Sequence, residues 1–193
     1  MPIPFVSPET LTPEQKPVYD RILGGRGYVA GPFLAVLHAP ELAERWQALG
    51  EVLRYRTSLG PLLTELAVLV VARWWNSPVE WYIHVREARK AGLAEPVIEA
   101  IAHARAPHVT DEGQRLVYEY SRALLSGAKV EPGLYEPTLA TLGTVGIVEL
   151  TTLVGYFVMV AMTLTAHRIP LPPGGEADLP ELPGLLTPLP AAL

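Results

Sequence analysis

The chain has 193 residues, 49% of them hydrophobic, and a formal net charge of −5. This length and composition fit one globular domain with a sizeable core and exclude a disordered chain. No run of Lys or Arg offers a surface for phosphates, so we expect no nucleic-acid partner. The absence of cysteine excludes disulfides, thiolate metal sites and cysteine-based peroxidase chemistry.

The N-terminal stretch MPIPFVSPETLTPEQK has neither a basic opening nor an apolar run. We therefore expect no secretory signal and a cytoplasmic protein. The single Asn, the three Gln and the 20 Pro residues fit a heat-adapted source, which would make the protein thermostable. They fit a GC-rich genome equally well.

Helical periodicity dominates the chain, and the alternating pattern typical of strands is absent. Pro, Gly and capping residues divide the helical pattern into segments. The predicted fold class is all-α, with about eight helices. These helices cover residues 13–25, 40–58, 62–75, 77–92, 95–105, 110–127, 134–142 and 145–167, and a Gly-rich loop, GGRGYVAGP, follows the first.

The C-terminal part of the chain contains a long apolar stretch and a Pro-rich tail. Residues 145–166 are long enough to cross a bilayer, but they include Glu149, four Thr and two Gly. We interpret them as a helix buried in a protein core and expect no membrane partner. Residues 1–168 then form a single domain. Residues 169–193 form a tail that we expect to dock on this domain or on a neighbouring subunit.

The stretch NSPVEWYIHVREARKAGL, residues 76–93, carries polar groups at helical spacing. Ser77, Pro78 and Glu80 match a capping box, in which the Ser and Glu side chains cap the first helical turn. His84 follows Glu80 by four residues, so the two side chains share one helix face. The sequence therefore predicts a capped helix that presents a carboxyl group and an imidazole together.

Glu65 is the only charged residue in the preceding apolar segment, LLTELAVLVVA. An ionised carboxylate in such a helix is costly unless it is paired. If the two helices fold back on each other at Asn76, Glu65 and His84 lie within about one helical turn of the same height. A carboxylate and an imidazole held together in an apolar site form a general acid/base pair.

A structural interpretation of the same residues is open. In it, Glu80 only completes the helix cap, and Glu65 and His84 are a satisfied pair in the core. A metal site is not expected, because Glu80 and His84 supply two ligands and the sequence places no third nearby.

The spacing of these residues resembles the carboxymuconolactone decarboxylase and alkyl hydroperoxidase D-like superfamily. Its redox branch carries Glu, eleven residues, then Cys-x-x-Cys-x-x-x-His. This chain has Glu65, eleven residues, then Ser77-x-x-Glu80-x-x-x-His84. The segments HAPELAERWQALGEVLR and GLAEPVIEAIAHAR, on either side, are also similar to these proteins. Because both cysteine positions hold other residues, the thiol cycle of the redox branch cannot operate here.

The resemblance implies an alkyl hydroperoxidase D-like helical bundle that forms homo-oligomers, commonly trimers or hexamers. It also implies a cofactor-free, lyase-type enzyme that acts on a small carboxylated or carbonyl compound. His84 would donate the proton, Glu65 would orient His84, and Glu80 would be a second acid/base. Trp81 and Tyr82 are candidates for shaping a substrate pocket.

An anionic substrate would also need a cation, for which Arg54, Arg56 and Arg73 are candidates. Two other functions stay open. One is a non-catalytic binding or scaffold protein of the same fold. The other is an antioxidant role, which the absence of cysteine disfavours.

Overall fold

The computed structural model describes residues 3–127, 129–184 and 186–193, and for Arg26 the backbone only. Within these residues the chain forms eight α-helices and a short 3-10 turn at Pro8–Thr10, with no strands. The predicted all-α class is therefore confirmed. The helices are α1 (Lys16–Arg26), α2 (Phe33–Val36), α3 (Pro40–Tyr55), α4 (Gly60–Trp74), α5 (Pro78–Lys90), α6 (Glu95–Ala102), α7 (Glu112–Gly127) and α8 (Pro132–Ala166).

Helix α4 is the centre of the bundle because it is apolar on every side. Every residue of α4 from Thr64 to Trp74 is buried. It packs against α5, α7 and α8, with smaller contacts to α3 and α6. A helix in this position needs no polar face, so the single carboxylate it carries, Glu65, requires a partner within the core.

Several helix boundaries differ from those predicted. Helix α1 continues through Gly24 and Gly25 and ends at Gly27, which adopts a left-handed conformation with φ 76°. Helix α3 ends at Tyr55, short of the predicted residue 58, and α6 ends at Ala102. The short helix α2 was not predicted.

The two helices predicted at 134–142 and 145–167 form one element, α8, with a break at Gly143. Gly143 has φ 71° and ψ 173°, a region that glycine alone adopts without strain. Of the described helices, α8 is the one long and apolar enough by itself to cross a bilayer, and half of its most apolar window is buried within the chain. Helices α3 and α4 pass the same test only as a pair, and they meet at a bend of 120°.

The C-terminal tail docks on its own chain. The backbone N–H of Thr187 donates to the Trp74 carbonyl at 2.8 Å, and the Leu193 N–H donates to the Pro107 carbonyl at 3.0 Å. The Tyr118 hydroxyl donates to the Pro190 carbonyl at 2.7 Å. Because helix-terminal carbonyls such as that of Trp74 lack partners within the helix, the tail satisfies the end of α4 just before the turn to α5.

Candidate active site

A tight turn at Asn76 folds α5 back onto α4. Asn76 has φ 48°, a left-handed conformation that asparagine tolerates better than most residues. Its side-chain amide donates to the Gly184 carbonyl at 3.0 Å, and its amide oxygen accepts from the Thr187 hydroxyl at 2.7 Å. The tail therefore holds the turn that sets the register between the two helices.

The helical hairpin brings Glu65 and His84 into direct contact. Nδ1 of His84 lies 2.7 Å from Oε2 of Glu65, and the two residues are 4% and 6% exposed. The contact predicted from their spacing is therefore present. The His84 ring also meets the edge of Phe157 at a centroid distance of 4.8 Å. With Nδ1 held by the carboxylate, Nε2 is the ring nitrogen left for chemistry, and it has no hydrogen-bond partner among the described residues.

The predicted capping box does not form. The Ser77 side chain makes no capping hydrogen bond, and the Ser77 backbone N–H, which Glu80 was expected to cap, donates to the Ala72 carbonyl at 2.8 Å. Neither carboxyl oxygen of Glu80 has a hydrogen-bond partner among the described residues. The interpretation of Glu80 as a structural cap is therefore wrong. The tight turn already satisfies the donor that the cap would have used.

Burial raises the pKa of Glu80 well above its usual range, and the nearby Ser77 hydroxyl offsets this only in part. Glu80 is 1% exposed. An ionised carboxylate without a partner is strongly disfavoured in such a position. Burial therefore favours the protonated form of the Glu80 carboxyl group.

Glu80 and His84 line the same cavity, which we call the inner cavity and which has a volume of about 60 Å³. One wall is a single face of α5, formed by Val79, Glu80, Ile83 and His84. The other walls come from the loop after α1, residues 28–33, and from residues 156–164 of α8. These walls are mainly apolar and aromatic, so the inner cavity combines a low dielectric with two groups that exchange protons.

Trp81 and Tyr82, the candidates for shaping the pocket, do not line the inner cavity. Trp81 is 1% exposed and belongs to the hydrophobic core. Tyr82 lies under the Arg86 guanidinium, whose Cζ is 3.5 Å from the ring centroid. The reason is helical rotation. At 100° per residue the cavity face of α5 contains positions 79, 80, 83 and 84, and positions 81 and 82 point elsewhere.

The three arginine candidates have different environments. Arg73 is buried and donates to the Ala102 and Pro180 carbonyls, both at 2.8 Å. Arg56 pairs with Glu51 at 3.2 Å near the surface. Arg54 borders the inner cavity and also a second, open cavity of about 390 Å³, which we call the outer cavity.

The outer cavity has Glu65 in its wall, so the two members of the His84–Glu65 pair border different spaces. As for a metal site, no group of three or more His, Asp or Glu residues in the described part of the chain is placed to hold an ion.

Sequence reasoning missed the walls supplied by distant segments. Tyr156 and Phe157 lie in the middle of α8, where every neighbour is also apolar, so the sequence does not mark them as cavity residues. Tyr28 and Phe33 border the cavity from the segment around the Gly-rich loop. One pattern could have pointed to this segment: Tyr28 lies within the Gly-rich loop, and Phe33 directly follows it.

The comparisons with known proteins concern the family and the fold. Residues 40–118 match the model of the carboxymuconolactone decarboxylase family. This match covers α3, α4, α5 and α6, and so includes Glu65, Glu80 and His84. A search of the curated proteins gives no significant match.

Two solved structures of the debrominase Bmp8 have a similar fold. A cysteine-to-alanine variant in complex with 2,3,4-tribromopyrrole gives a TM-score of 0.71 at 11% identity, over 88% of this chain and 91% of that chain. The apo form gives 0.69 at 11% identity, over 87% and 90%. At this identity the likeness establishes the fold alone.

Proposed function

Since residues 40–118 match the carboxymuconolactone decarboxylase family, we propose that the chain is a cofactor-free acid/base enzyme of the lyase type. Its substrate is a small carboxylated or carbonyl compound. The observation that carries the proposal is the pairing of two proton carriers in one cavity. Glu80 is a buried carboxylic acid without a hydrogen-bond partner among the described residues, and His84 is an imidazole held by a carboxylate.

The two groups have complementary roles in this proposal. Contact with Glu65 fixes the orientation of the His84 ring and leaves Nε2 as the nitrogen that transfers a proton. The burial that keeps Glu80 protonated makes it the general acid, and His84 acts as the second proton carrier. Glu65 is a positioning residue, because it acts through His84.

The reaction that fits these groups is loss of CO2 from a carboxylate whose carbon atom neighbours a conjugated carbonyl system. The bond between the substrate carbon and its carboxylate breaks, and the electron pair moves into the conjugated carbonyl to form a dienolate. Glu80 or His84 then donates a proton to the carbon, and water replaces that proton. The apolar walls favour this step, because the localised charge of the carboxylate becomes dispersed.

A thiol mechanism does not fit this chain, which has no cysteine. The antioxidant alternative therefore has no chemical support. In the structural interpretation Glu65 and His84 also pair in the core, so their 2.7 Å contact fits both alternatives. The inner cavity beside His84 favours the enzyme.

A direct test is turnover of a panel of unsaturated lactone carboxylates and β-keto acids. CO2 release and loss of substrate would be followed by NMR for the wild type, His84→Ala and Glu80→Gln. The proposal expects wild-type turnover of at least one compound, and a fall of about a hundredfold or more in each variant. Turnover by the wild type no faster than by His84→Ala, across the whole panel, would refute it.

The proposal includes self-association, as trimers or hexamers. Apolar side chains on α8 support it, because Val145 and Val148 are 63% and 60% exposed. Val148 also borders a shallow depression of about 340 Å³ with Tyr135 and Tyr120. Exposed apolar groups of this kind mark contacts between protein chains. Sedimentation velocity should show an oligomer for the wild type and a smaller species for Val148→Glu, whereas a monomeric wild type would contradict self-association.

A further inference from the structure

Arg54 occupies a distinct position at the boundary of the two cavities beside the candidate catalytic groups. It is half-buried near the end of α3 and borders both the inner and the outer cavity. Of the described side chains, it is the only Lys or Arg that lines the inner cavity. Its charge therefore contributes directly to the electrostatics of the space that contains Glu80 and His84.

The positive charge of Arg54 is not matched by a carboxylate in the described part of the chain, where no Asp or Glu lies within ion-pair distance of it. Its Nε is buried and has no hydrogen-bond partner among the described residues. Its Cζ lies 5.1 Å from the ring centroid of the exposed Tyr55. A buried donor of a charged group that lacks an acceptor is costly, so it requires an explanation.

The neighbouring groups do not neutralise Arg54 from within the inner cavity. Burial favours the protonated, uncharged form of the Glu80 carboxyl group. The Glu65 carboxylate contacts His84. Among the described lining residues, the charged or ionisable side chains besides the tyrosines are Arg54, Glu80 and His84, and most of the others are apolar. A space of this kind favours an anion over a neutral molecule or a cation.

We propose that Arg54 is the specificity-determining residue that binds a carboxylate of the substrate at the boundary between the inner and outer cavities. The guanidinium group fits a carboxylate with two parallel hydrogen bonds. This inference rests on the proposed function, and it restricts the substrate class to small dianions, in which one carboxylate contacts Arg54 and the other is lost as CO2.

The carboxylate bound by Arg54 is a spectator. An ion pair stabilises a carboxylate in the ground state and would oppose its loss as CO2. The group that reacts must therefore lie at the other end of the molecule, in the apolar inner cavity with Glu80 and His84. The volumes agree with this division. The inner cavity has room for a few atoms only, about 60 Å³, whereas the outer cavity of about 390 Å³ is of the size that small-molecule sites have.

The test is a binding experiment that needs no turnover. The full-length protein is titrated by NMR with 2-furoate and with its neutral analogue 2-furamide, neither of which carries a second group to lose as CO2. The variants are Arg54→Gln, Arg54→Lys and Arg56→Gln. Arg56 is a matched control, because it lies two residues further along the chain and pairs with Glu51 at the surface.

We expect Arg54→Gln to weaken 2-furoate binding about tenfold or more and to change 2-furamide binding less than twofold. Arg54→Lys should recover part of the affinity for the anion, and Arg56→Gln should match the wild type. Each of three results would overturn the assignment: an equal loss of affinity for both ligands, an unchanged affinity for 2-furoate, or no saturable binding of 2-furoate to the wild type. Thermal unfolding of each variant shows whether a loss of affinity reflects misfolding. If Arg54→Gln is misfolded, the affinity of Arg54→Lys for the two ligands, compared with that of the wild type, decides the question.

The same experiment separates this inference from the proposed function. If 2-furoate binds through Arg54 but the substrate panel shows no turnover, the enzymatic proposal fails and the assignment of Arg54 stands. If instead the panel shows turnover and Arg54→Gln binds 2-furoate as tightly as the wild type, the assignment of Arg54 fails and the enzymatic proposal stands.

Discussion

Replacing Glu80 by Gln should make the protein more stable at neutral pH, and the gain should grow as the pH rises. Burial raises the pKa of Glu80 well above its usual range. The native protein therefore holds a proton on this group over a pH range in which the unfolded chain has lost it. A carboxyl group with a raised pKa supports the native state fully below its unfolded pKa, about 4.3, and this support is lost as the pH rises towards the native pKa.

The magnitude follows from the number of protons. One proton bound in the native state and absent from the unfolded state lowers the free energy of unfolding by about 1.4 kcal/mol per pH unit. Between pH 5.5 and 7.5 the wild type should therefore lose up to about 3 kcal/mol relative to Glu80→Gln. The Gln side chain has nearly the same shape and cannot ionise, so the variant lacks this contribution.

The assay is urea unfolding at pH 5.5, 6.5 and 7.5, at constant ionic strength and protein concentration. The informative quantity is the difference in unfolding free energy between the wild type and the variant, because all other titrating groups cancel in it. The same substitution at the exposed Glu99 on α6 is the matched control and should follow the wild type. If the wild type and Glu80→Gln show parallel pH dependence, Glu80 is ionised in the native protein, and its role as a general acid would have to be abandoned.

Three further predictions concern the hairpin and the core. Glu65→Gln should lower turnover of any panel substrate about a hundredfold and shift the ¹⁵N resonance of His84 Nδ1; an unchanged resonance would show that the contact does not orient the ring. Asn76→Ala should lower the unfolding free energy by about 2 kcal/mol, because it strains a left-handed residue and removes the hydrogen bond from Thr187. Asn76→Gly should recover the part of that loss caused by backbone strain. Equal losses of unfolding free energy in Asn76→Ala and Asn76→Gly, measured by urea unfolding, would exclude backbone strain as a cause. Leu69→Ala, at a fully buried position of α4, should cost about 2–5 kcal/mol by the same measurement, and a loss below about 1 kcal/mol would contradict its place in the packed core.

The local part of the site was predictable because it depends on helix geometry alone. Glu65 and His84 are 19 residues apart, and two straight helices joined by a short turn bring such positions to the same height. An apolar helix with one acid also requires a partner for that acid. These two arguments need no knowledge of the rest of the fold, and the 2.7 Å contact agrees with both.

The remaining parts depend on contacts between distant segments. The capping box failed because the Ser77 N–H bonds to the Ala72 carbonyl, a consequence of the tight turn that the local motif does not contain. The cavity wall from α8 comes from residues more than 70 positions after His84. The choice among three arginines also required tertiary structure, since only their surroundings distinguish Arg54 from the structural Arg73.

Glu80 connects the stability and the chemistry of this site. A buried carboxyl group with no hydrogen-bond partner among the described residues lowers the stability of the fold at neutral pH, and an uncharged residue of similar size would remove that cost. No structural role offsets it, because the cap that would have used this side chain does not form. Sites that lower stability in this way are typical of positions where activity requires the group. Glu80→Gln should therefore give a protein that is more stable at pH 7.5 and less active. A variant that is more stable and equally active would show that the buried acid has no part in the chemistry.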